Sequence, residues 1–404
     1  MGQGWSIFTF EPFICVLTSG LLQAVAVRIL PAKYMCFSST IGWAFTCFCL
    51  KVSLGTIITP ILLFHALLAA LLFKFYGCSV ALLNRTLLYP AVGSLAVLLY
   101  PFRAPVLPVW AALLVGLLQL WAACGGLLML LVYPATVLSQ LEPAGLRGSW
   151  LGELRRHAVD RRVERVEAPS RNGIVLEVVV LRRRELTDRW VLYLGGNAEM
   201  MKDCAADVFT EGNDMVCANW IFYNPRGVGA STGYVACVED LVEDAFAVVQ
   251  YTGRLYGINP SKLLLWGHSI GGGVAAAVAL RSGWRCPILL DRTFSSLSDA
   301  AVRFTRFPPA LTRTLIQYTV GDLSVVKWCM QLQNKKLVIY HRKDEVISFS
   351  TASLGRPEVA KRFILKNDAV VELNGLYARS PHNTSLGGFQ EKDILRSRIY
   401  FLYE

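Results

Sequence analysis

Leu263-Leu264-Leu265-Trp266-Gly267-His268-Ser269-Ile270-Gly271-Gly272-Gly273 is the stretch that decides how this chain is read. Four apolar residues make a short strand, Gly-x-Ser-x-Gly follows, and the alanine-rich run Val274 to Leu280 continues as a helix. A serine hydroxyl is a poor nucleophile unless it is presented to a base and held in place. A sharp strand-to-helix turn does both, because it strains the backbone of the serine at its apex and leaves the hydroxyl exposed. A side chain at Gly267 or Gly271 would crowd that turn. The following helix aims its N-terminus at a reacting carbonyl, where it favours an oxyanion. Gly-x-Ser-x-Gly by itself occurs by chance; set between a strand and a small-residue helix it is specific. Ser269 is therefore the expected nucleophile.

Around this turn, short apolar runs alternate with helical stretches. Ile174 to Leu181, Trp190 to Leu194, Met215 to Tyr223, Leu263 to Trp266, Ile288 to Leu290, Leu337 to Tyr340 and Val370 to Leu373 read as strands. Met200 to Phe209, Glu239 to Tyr256 and Val274 to Leu280 read as helices. Strands separated by helices of this length imply βαβ units and a mostly parallel sheet. Continuously apolar strands imply a sheet covered on both faces. The expected fold class is α/β: an α/β-hydrolase domain over residues 147–404, with a lid or cap at about 297–335.

In that fold the catalytic residues follow the order serine, acid, histidine. Of the five histidines, His65 and His157 precede Ser269, His268 is locked in the turn, and His341 ends a strand ahead of the best acid. His382 remains, in a loop before a C-terminal helix, as the expected general base. Asp344 lies in the turn after the strand Leu337 to Tyr340 and is the expected acid that orients the imidazole. Asp291, past an earlier strand and next to Arg292, is a rival; Glu345 is a weaker one, read as a solvated neighbour. An oxyanion hole needs two backbone donors. The amide of Ile270, directly after the nucleophile, is one. The other comes from Gly195-Gly196-Asn197-Ala198 after the Trp190 to Leu194 strand, with Asn197 the choice to within one residue.

Three further stretches carry a resemblance. Leu192 to Glu199 looks like the Gly-Asn-Ala-Glu oxyanion loop of bacterial α/β-hydrolases, and Asn224 to Gly233 looks like their Arg-Gly-x-Gly-x-Ser-x-Gly loop after the fourth strand. Asp291 to Leu297 matches a segment after the sixth strand. With the Gly267 to Gly273 turn, the chain resembles the chlamydial CHLPS hydrolase-like family from roughly Arg171 to its end. The resemblance implies a hydrolase and leaves its substrate open. One departure stands out: Gly195-Gly196 replaces the His-Gly of many relatives in the wider superfamily.

Composition divides the chain in two. It has 404 residues, 54% hydrophobic and 17% charged, with a net charge of +11; soluble domains carry roughly 25% charged residues. The apolar excess lies before Val132 and the charge after Leu146. Val52 to Phe73 and Val106 to Val132 are each long enough to span a bilayer core, which takes about 20 residues. Thr86 to Phe102, Phe13 to Leu30 and Tyr34 to Leu50 are further candidates. Residues 1–146 are thus expected to form a membrane region of three to five transmembrane helices. Arg147, Arg155, Arg156, Arg161, Arg162 and Arg165 follow the last run and place the catalytic domain on the cytoplasmic side by the positive-inside rule. Glu153, Asp160, Glu164 and Glu167 are interleaved with them, so an ordinary solvated face stays open. Eleven cysteines without a Cys-x-x-Cys pair imply no disulfide framework.

The expected function is hydrolysis of an acyl ester or thioester by a Ser269–His382–Asp344 triad in a multi-pass integral membrane protein. The membrane region and the apolar residues of the cap (Phe304, Phe307, Pro308, Pro309, Leu311, Leu315, Ile316) point to a lipid or lipidated substrate at a membrane. No metal, organic cofactor or nucleic-acid partner is implied. A catalytically silent membrane scaffold and a serine peptidase are the alternatives.

Overall fold

A computed structural model of the protein describes residues 128–129, 131–141, 150–210, 215–374 and 380–404. The expected membrane spans before Leu128 lie outside the described residues. Among the described residues, no helix is long and apolar enough to cross a membrane. Leu128 to Glu404 forms one compact unit.

Its centre is an eight-stranded sheet: β1 (Arg161–Pro169), β2 (Val175–Arg183), β3 (Trp190–Leu194), β4 (Asn219–Tyr223), β5 (Leu263–His268), β6 (Ile288–Asp291), β7 (Lys336–His341) and β8 (Ala369–Leu373), in the order 1-2-4-3-5-6-7-8. β2 runs antiparallel to both neighbours, and β4 to β8 are parallel. Alternation along each strand builds two cores. Leu192, Ile221, Leu263, Leu265, Ile288 and Leu290 face one side. Val191, Trp220, Phe222, Leu264, Trp266 and Leu289 face the other. Helices cover both sides, which is why the central parallel strands are apolar along their middles, with polar residues such as Asn219, His268, Asp291 and Lys336 at their ends. α4 (Val238–Tyr256) and α5 (Ile270–Ser282) lie over the first core; α3 (Met201–Thr210) and the C-terminal α10 (Lys392–Leu402) lie over the second.

Between β6 and β7 the chain forms α6 (Leu297–Ala301), α7 (Pro309–Thr319) and α8 (Val325–Cys329) in the expected cap. Ile316, Val320, Leu323 and Val325 anchor it to the core, while Phe304, Phe307 and Leu311 are exposed. Before the sheet, α1 (Ala135–Leu141) and α2 (Trp150–His157) precede β1. Met129, Tyr133 and Ala135 are buried in the first core, ahead of the expected domain boundary at residue 146. α9 (Pro357–Ala360) is a single turn between β7 and β8.

Three of the six arginines after the last apolar run belong to β1, a strand with no counterpart in the expected set. Arg161 is buried and donates to the Ala218 carbonyl, Arg162 pairs with Glu164, and Arg165 pairs with Glu177. The signal for this hairpin is Asn172-Gly173, which takes left-handed φ values of 57° and 72°, the dipeptide that favours such turns.

The loop after β4 is fixed by a buried ion pair. Arg226 donates through Nε and Nη2 to the Asp244 carboxylate (2.8–3.0 Å) and through Nη1 to Asp240 (2.6 Å), and its backbone N–H also reaches Asp244 (2.8 Å). Removing Asp244 leaves the buried guanidinium to Asp240 and Glu243, a loss bounded by the roughly 3–5 kcal/mol of a broken buried pair. Asp244→Ala is expected to lower stability by up to that much, read as a fall in the thermal unfolding midpoint of the purified full chain; an unchanged midpoint would refute the assignment.

Candidate active site

Ser269 sits between β5 and α5 with φ 54° and ψ −120°, a conformation a non-glycine residue seldom adopts. Its neighbours make the strain unavoidable. A β-carbon on Gly267 would overlap the Gly271 carbonyl, and one on Gly271 would overlap the Leu194 carbonyl at the end of β3. The Ser269 N–H donates to the Asp291 carbonyl (2.9 Å), and Thr293 Oγ1 donates to the Ser269 carbonyl (2.5 Å). The turn is thus held by β3 on one side and the end of β6 on the other.

Ser269, His382 and Asp344 form one hydrogen-bonded chain. Ser269 Oγ lies 2.9 Å from His382 Nε2, and His382 Nδ1 lies 2.8 Å from Asp344 Oδ2. Asp344 Oδ1 accepts the N–H groups of Val346 (2.8 Å) and Ile347 (2.6 Å), so both carboxylate oxygens are engaged and the group faces the imidazole in one orientation. All three side chains are buried. Burial pushes the His382 pKa below the ordinary histidine value; positive charge on His268 and Arg292 adds to this, and Asp344 opposes it. Ionised Asp344 accepts the Nδ1 proton, which leaves Nε2 with a lone pair toward the serine hydroxyl.

The rival acids are placed elsewhere. The Asp291 carboxylate is gripped by Arg292 Nε (2.7 Å) and Nη2 (2.9 Å). Burial alone would raise the Asp291 pKa, but Arg292 outweighs it and keeps the group ionised. Arg292 Nη1 then donates to the carbonyls of Pro381 (2.7 Å) and Thr384 (2.5 Å), on either side of His382. Glu345, expected as a solvated neighbour, is partly buried: it accepts from the Ser380 hydroxyl and from the His382 N–H (3.2 Å). Both residues hold the loop of His382 rather than its ring. His341 ends β7, and its Nδ1 accepts the Lys343 N–H (3.0 Å), away from this chain of contacts.

The expected oxyanion donors lie on adjoining segments. Ile270 opens α5, and α5 abuts the carbonyls of Leu194 and Gly195. Asn197 lies in the turn closed by the Glu199 N–H on the Gly196 carbonyl (3.3 Å), and its own carbonyl accepts the Ala135 N–H (3.1 Å). Among the described residues neither the Ile270 N–H nor the Asn197 N–H has a hydrogen-bond partner. Gly196, one residue earlier, gives its N–H to Glu199 Oε2 (2.7 Å) and is removed as the alternative donor. Behind this loop a cavity is lined by Tyr133, Tyr193, Tyr223, Leu241, Ile270 and Val274.

Sequence reasoning passed over two residues here. His268 Nδ1 meets Glu199 Oε1 at 2.8 Å, and its Nε2 meets the His382 carbonyl at 2.9 Å. Glu199 was visible in the Gly-Asn-Ala-Glu stretch and His268 in the turn itself, but their pairing joins positions 69 residues apart.

This geometry has relatives. An α/β hydrolase from Vibrio vulnificus superposes with a TM-score of 0.52 at 18% identity, over 67% of this chain and 92% of that one, which speaks to the fold. Human Protein ABHD12B is 31% identical over 131 residues, 30% of this chain and 35% of that protein. A putative α/β hydrolase of Acanthamoeba polyphaga mimivirus is 23% identical over 141 residues, 33% of this chain and 51% of the relative. The matched region thus spans about half or less of these two curated relatives. A family model described as Chlamydia CHLPS protein (DUF818) matches residues 159–374, from β1 through β8 and more than half of the sequence. With the sheet order and the strained serine turn, that match makes the chain a member of the CHLPS (DUF818) family within the α/β-hydrolase superfamily.

Proposed function

We propose that this protein is a serine hydrolase that cleaves acyl ester or thioester bonds, with Ser269, His382 and Asp344 as its catalytic triad. The observation that carries the proposal is the unbroken chain from Ser269 Oγ through the His382 ring to Asp344, at 2.9 and 2.8 Å. His382 Nε2 takes the hydroxyl proton as Oγ attacks the acyl carbon, and the carbonyl oxygen becomes an oxyanion facing the Ile270 and Asn197 amides. His382 returns the proton to the departing alkoxide or thiolate, leaving an acyl-serine. Water then attacks this ester, gives its proton to His382, and releases the acid and the free serine. Asp344 stays ionised throughout and stabilises the imidazolium formed in each half. No step calls for a metal or an organic cofactor. A complete hydrogen-bonded triad speaks against a silent scaffold.

The substrate is proposed to be a lipid or lipidated ester presented at a membrane. The apolar residues 1–127 support this, and so does the cap surface. Phe304 (65% exposed), Phe307 (57%) and Leu311 (44%) stand out from the cap, and no acidic residue occurs between Asp299 and Asp322 while Arg303, Arg306 and Arg313 do. An exposed apolar cluster with basic neighbours suits an anionic lipid interface. The catalytic unit would then work on the cytoplasmic face of a membrane in which the preceding residues are embedded.

Four outcomes test the reading. Detergent-solubilised wild type is expected to react with a fluorophosphonate probe, and Ser269→Ala and His382→Ala are expected not to. Asp344→Asn is expected to lower kcat about 10⁴-fold by favouring the wrong imidazole tautomer. Ser269→Ala with undiminished esterase activity would end the proposal. On the acid side, kcat/KM should fall with an apparent pKa below the ordinary histidine value of about 6.5, because the base acts only while neutral and burial keeps it neutral to lower pH. For the membrane surface, Phe304→Ser and Phe307→Ser should each lower hydrolysis of an ester embedded in anionic vesicles about tenfold, by losing buried aromatic surface. Hydrolysis of a soluble short-chain ester should be unaffected; an equal loss on both substrates would count against a lipid-facing cap.

A further inference from the structure

Glu199 and His268 take no part in the chemistry proposed above, yet they connect the two loops on which it depends. Glu199 Oε2 accepts the Gly196 N–H (2.7 Å) and so fixes the turn that presents the Asn197 amide. Glu199 Oε1 faces His268 Nδ1 (2.8 Å), and His268 Nε2 faces the carbonyl of His382 (2.9 Å). One line of three hydrogen bonds therefore runs from the oxyanion loop, through the residue before the nucleophile, to the backbone of the base.

The proton positions along this line follow from its acceptors. A carbonyl oxygen only accepts, so His268 Nε2 carries a proton. Each neighbour of Glu199 is a donor: the Gly196 N–H, the Tyr193 hydroxyl (3.4 Å) and the Cys204 thiol (3.5 Å). These donors and the neighbouring imidazole hold the Glu199 carboxyl down to about 2, so it is ionised and His268 Nδ1 carries a proton as well. His268 is an imidazolium between two acceptors. A neutral ring has one proton for the two and must turn a lone pair toward one of them.

We infer that the His268 imidazolium and the Glu199 carboxylate are a positioning pair that ties the oxyanion loop and the His382 loop to the nucleophile turn, and that losing one imidazolium proton unties them. The inference rests on the proposed serine-hydrolase reading. The other ionisable groups facing His268 are few. From the end of β6 come Asp291 and Arg292, which are bound to each other. From the C-terminal loop comes the His382 ring, with its centroid 5.0 Å from that of His268. Tyr193 of β3 and Cys204 of α3 act through Glu199. Burial works against charge on both partners, but their mutual attraction outweighs it: Glu199 is held down to about 2 and His268 is raised above the ordinary histidine value. A raised pKa means that the tie is complete below it and is lost as pH rises through it.

Loss of the tie does not free the His382 loop, because Arg292 still holds Pro381 and Thr384 and Glu345 still holds the His382 N–H. The expected result is a misaligned base and oxyanion donor in a chain that still folds, so kcat falls while KM stays put, and the unfolding midpoint declines as pH rises through the same range.

The test is the pH profile, from about pH 5 to 9.5, of kcat and KM for a soluble p-nitrophenyl ester with the detergent-solubilised full chain. Wild type should show an alkaline fall in kcat with an apparent pKa above about 6.5. His268→Gln keeps a side-chain amide donor and cannot titrate. It should lower kcat about 10–100-fold, as loss of a charge-assisted hydrogen bond does, and should flatten the alkaline limb. Glu199→Gln removes the anion that sustains the imidazolium and should move the limb to lower pH by about one unit or more. Fluorophosphonate labelling at pH 7 separates the two possible failures. A wild type that labels and turns over, with an alkaline side unchanged in both variants, would refute the positioning pair and leave the hydrolase reading intact. A folded wild type that neither labels nor turns over would remove that reading and this inference with it.

Discussion

The approach of α5 to the end of β3 is the constraint on which the site depends. At Gly271 the helix meets the Leu194 carbonyl so closely that any β-carbon would overlap it, and Gly267 meets Gly271 in the same way. Only glycine at both positions lets the chain turn from strand to helix within one residue. That residue, Ser269, takes up the strain at φ 54°. The same contact sets α5 against the carbonyls of Leu194 and Gly195, so that one close approach fixes the proposed nucleophile and the proposed oxyanion donors together. Backbone strain of this kind costs on the order of 1–3 kcal/mol and persists only where its surroundings over-determine it. Here they do, through the Asp291 carbonyl below the turn and the Thr293 hydroxyl above it.

The histidine is held by different means, because it lies on a loop and loops are the mobile part of a fold. A ring that must meet a hydroxyl within a few tenths of an ångström cannot rely on loop backbone alone. Charged side chains from separate segments converge on residues 380–384. Arg292 and His268 donate to three carbonyls, and Glu345 accepts a hydroxyl and an amide. Each charge is itself paired or multiply hydrogen-bonded, Arg292 by Asp291 and His268 by Glu199. This meets the usual condition for burying charge.

How much of this was legible depended on whether the signal was local. Gly267-His268-Ser269-Ile270-Gly271 states its own geometry, because the steric demand of the turn is written in two glycines. The order of elements then leaves His382 and Asp344 as partners without knowledge of a single contact. The central parallel strands were legible because both faces are buried and their middle positions are apolar. β1 was not, since Arg161 to Glu167 reads as solvated charge until its pairing with β2 and the Ala218 carbonyl is known; Asn172-Gly173 was the one local hint. The segment around Tyr133 was grouped with the apolar residues before it, because hydropathy alone does not separate a core segment from the end of a span. Asp291, Glu345 and His268 were seen but assigned no partner. Their roles rest on contacts between residues 1 to 114 positions apart, and spacing carries no information about such contacts.

The two imidazoles at the centre show why those contacts matter. Their ring centroids are 5.0 Å apart and both are buried, yet their pKa values are pushed in opposite directions. The environment separates them: a carboxylate against His268 at 2.8 Å raises its pKa, while burial, with the charges of His268 and Arg292, lowers that of His382 despite Asp344. Neighbouring groups whose pKa values are pushed apart mark acid–base assignments in active sites. On the proposed mechanism the asymmetry acts in both halves of the cycle. A neutral His382 is ready to take the serine proton. Once it has done so, a second cation sits beside His268 and Arg292, so the protonated ring is a stronger acid than Asp344 alone would make it. Its proton then passes more readily to the departing oxygen or sulfur, and the charges that position the base also assist the step that completes acylation.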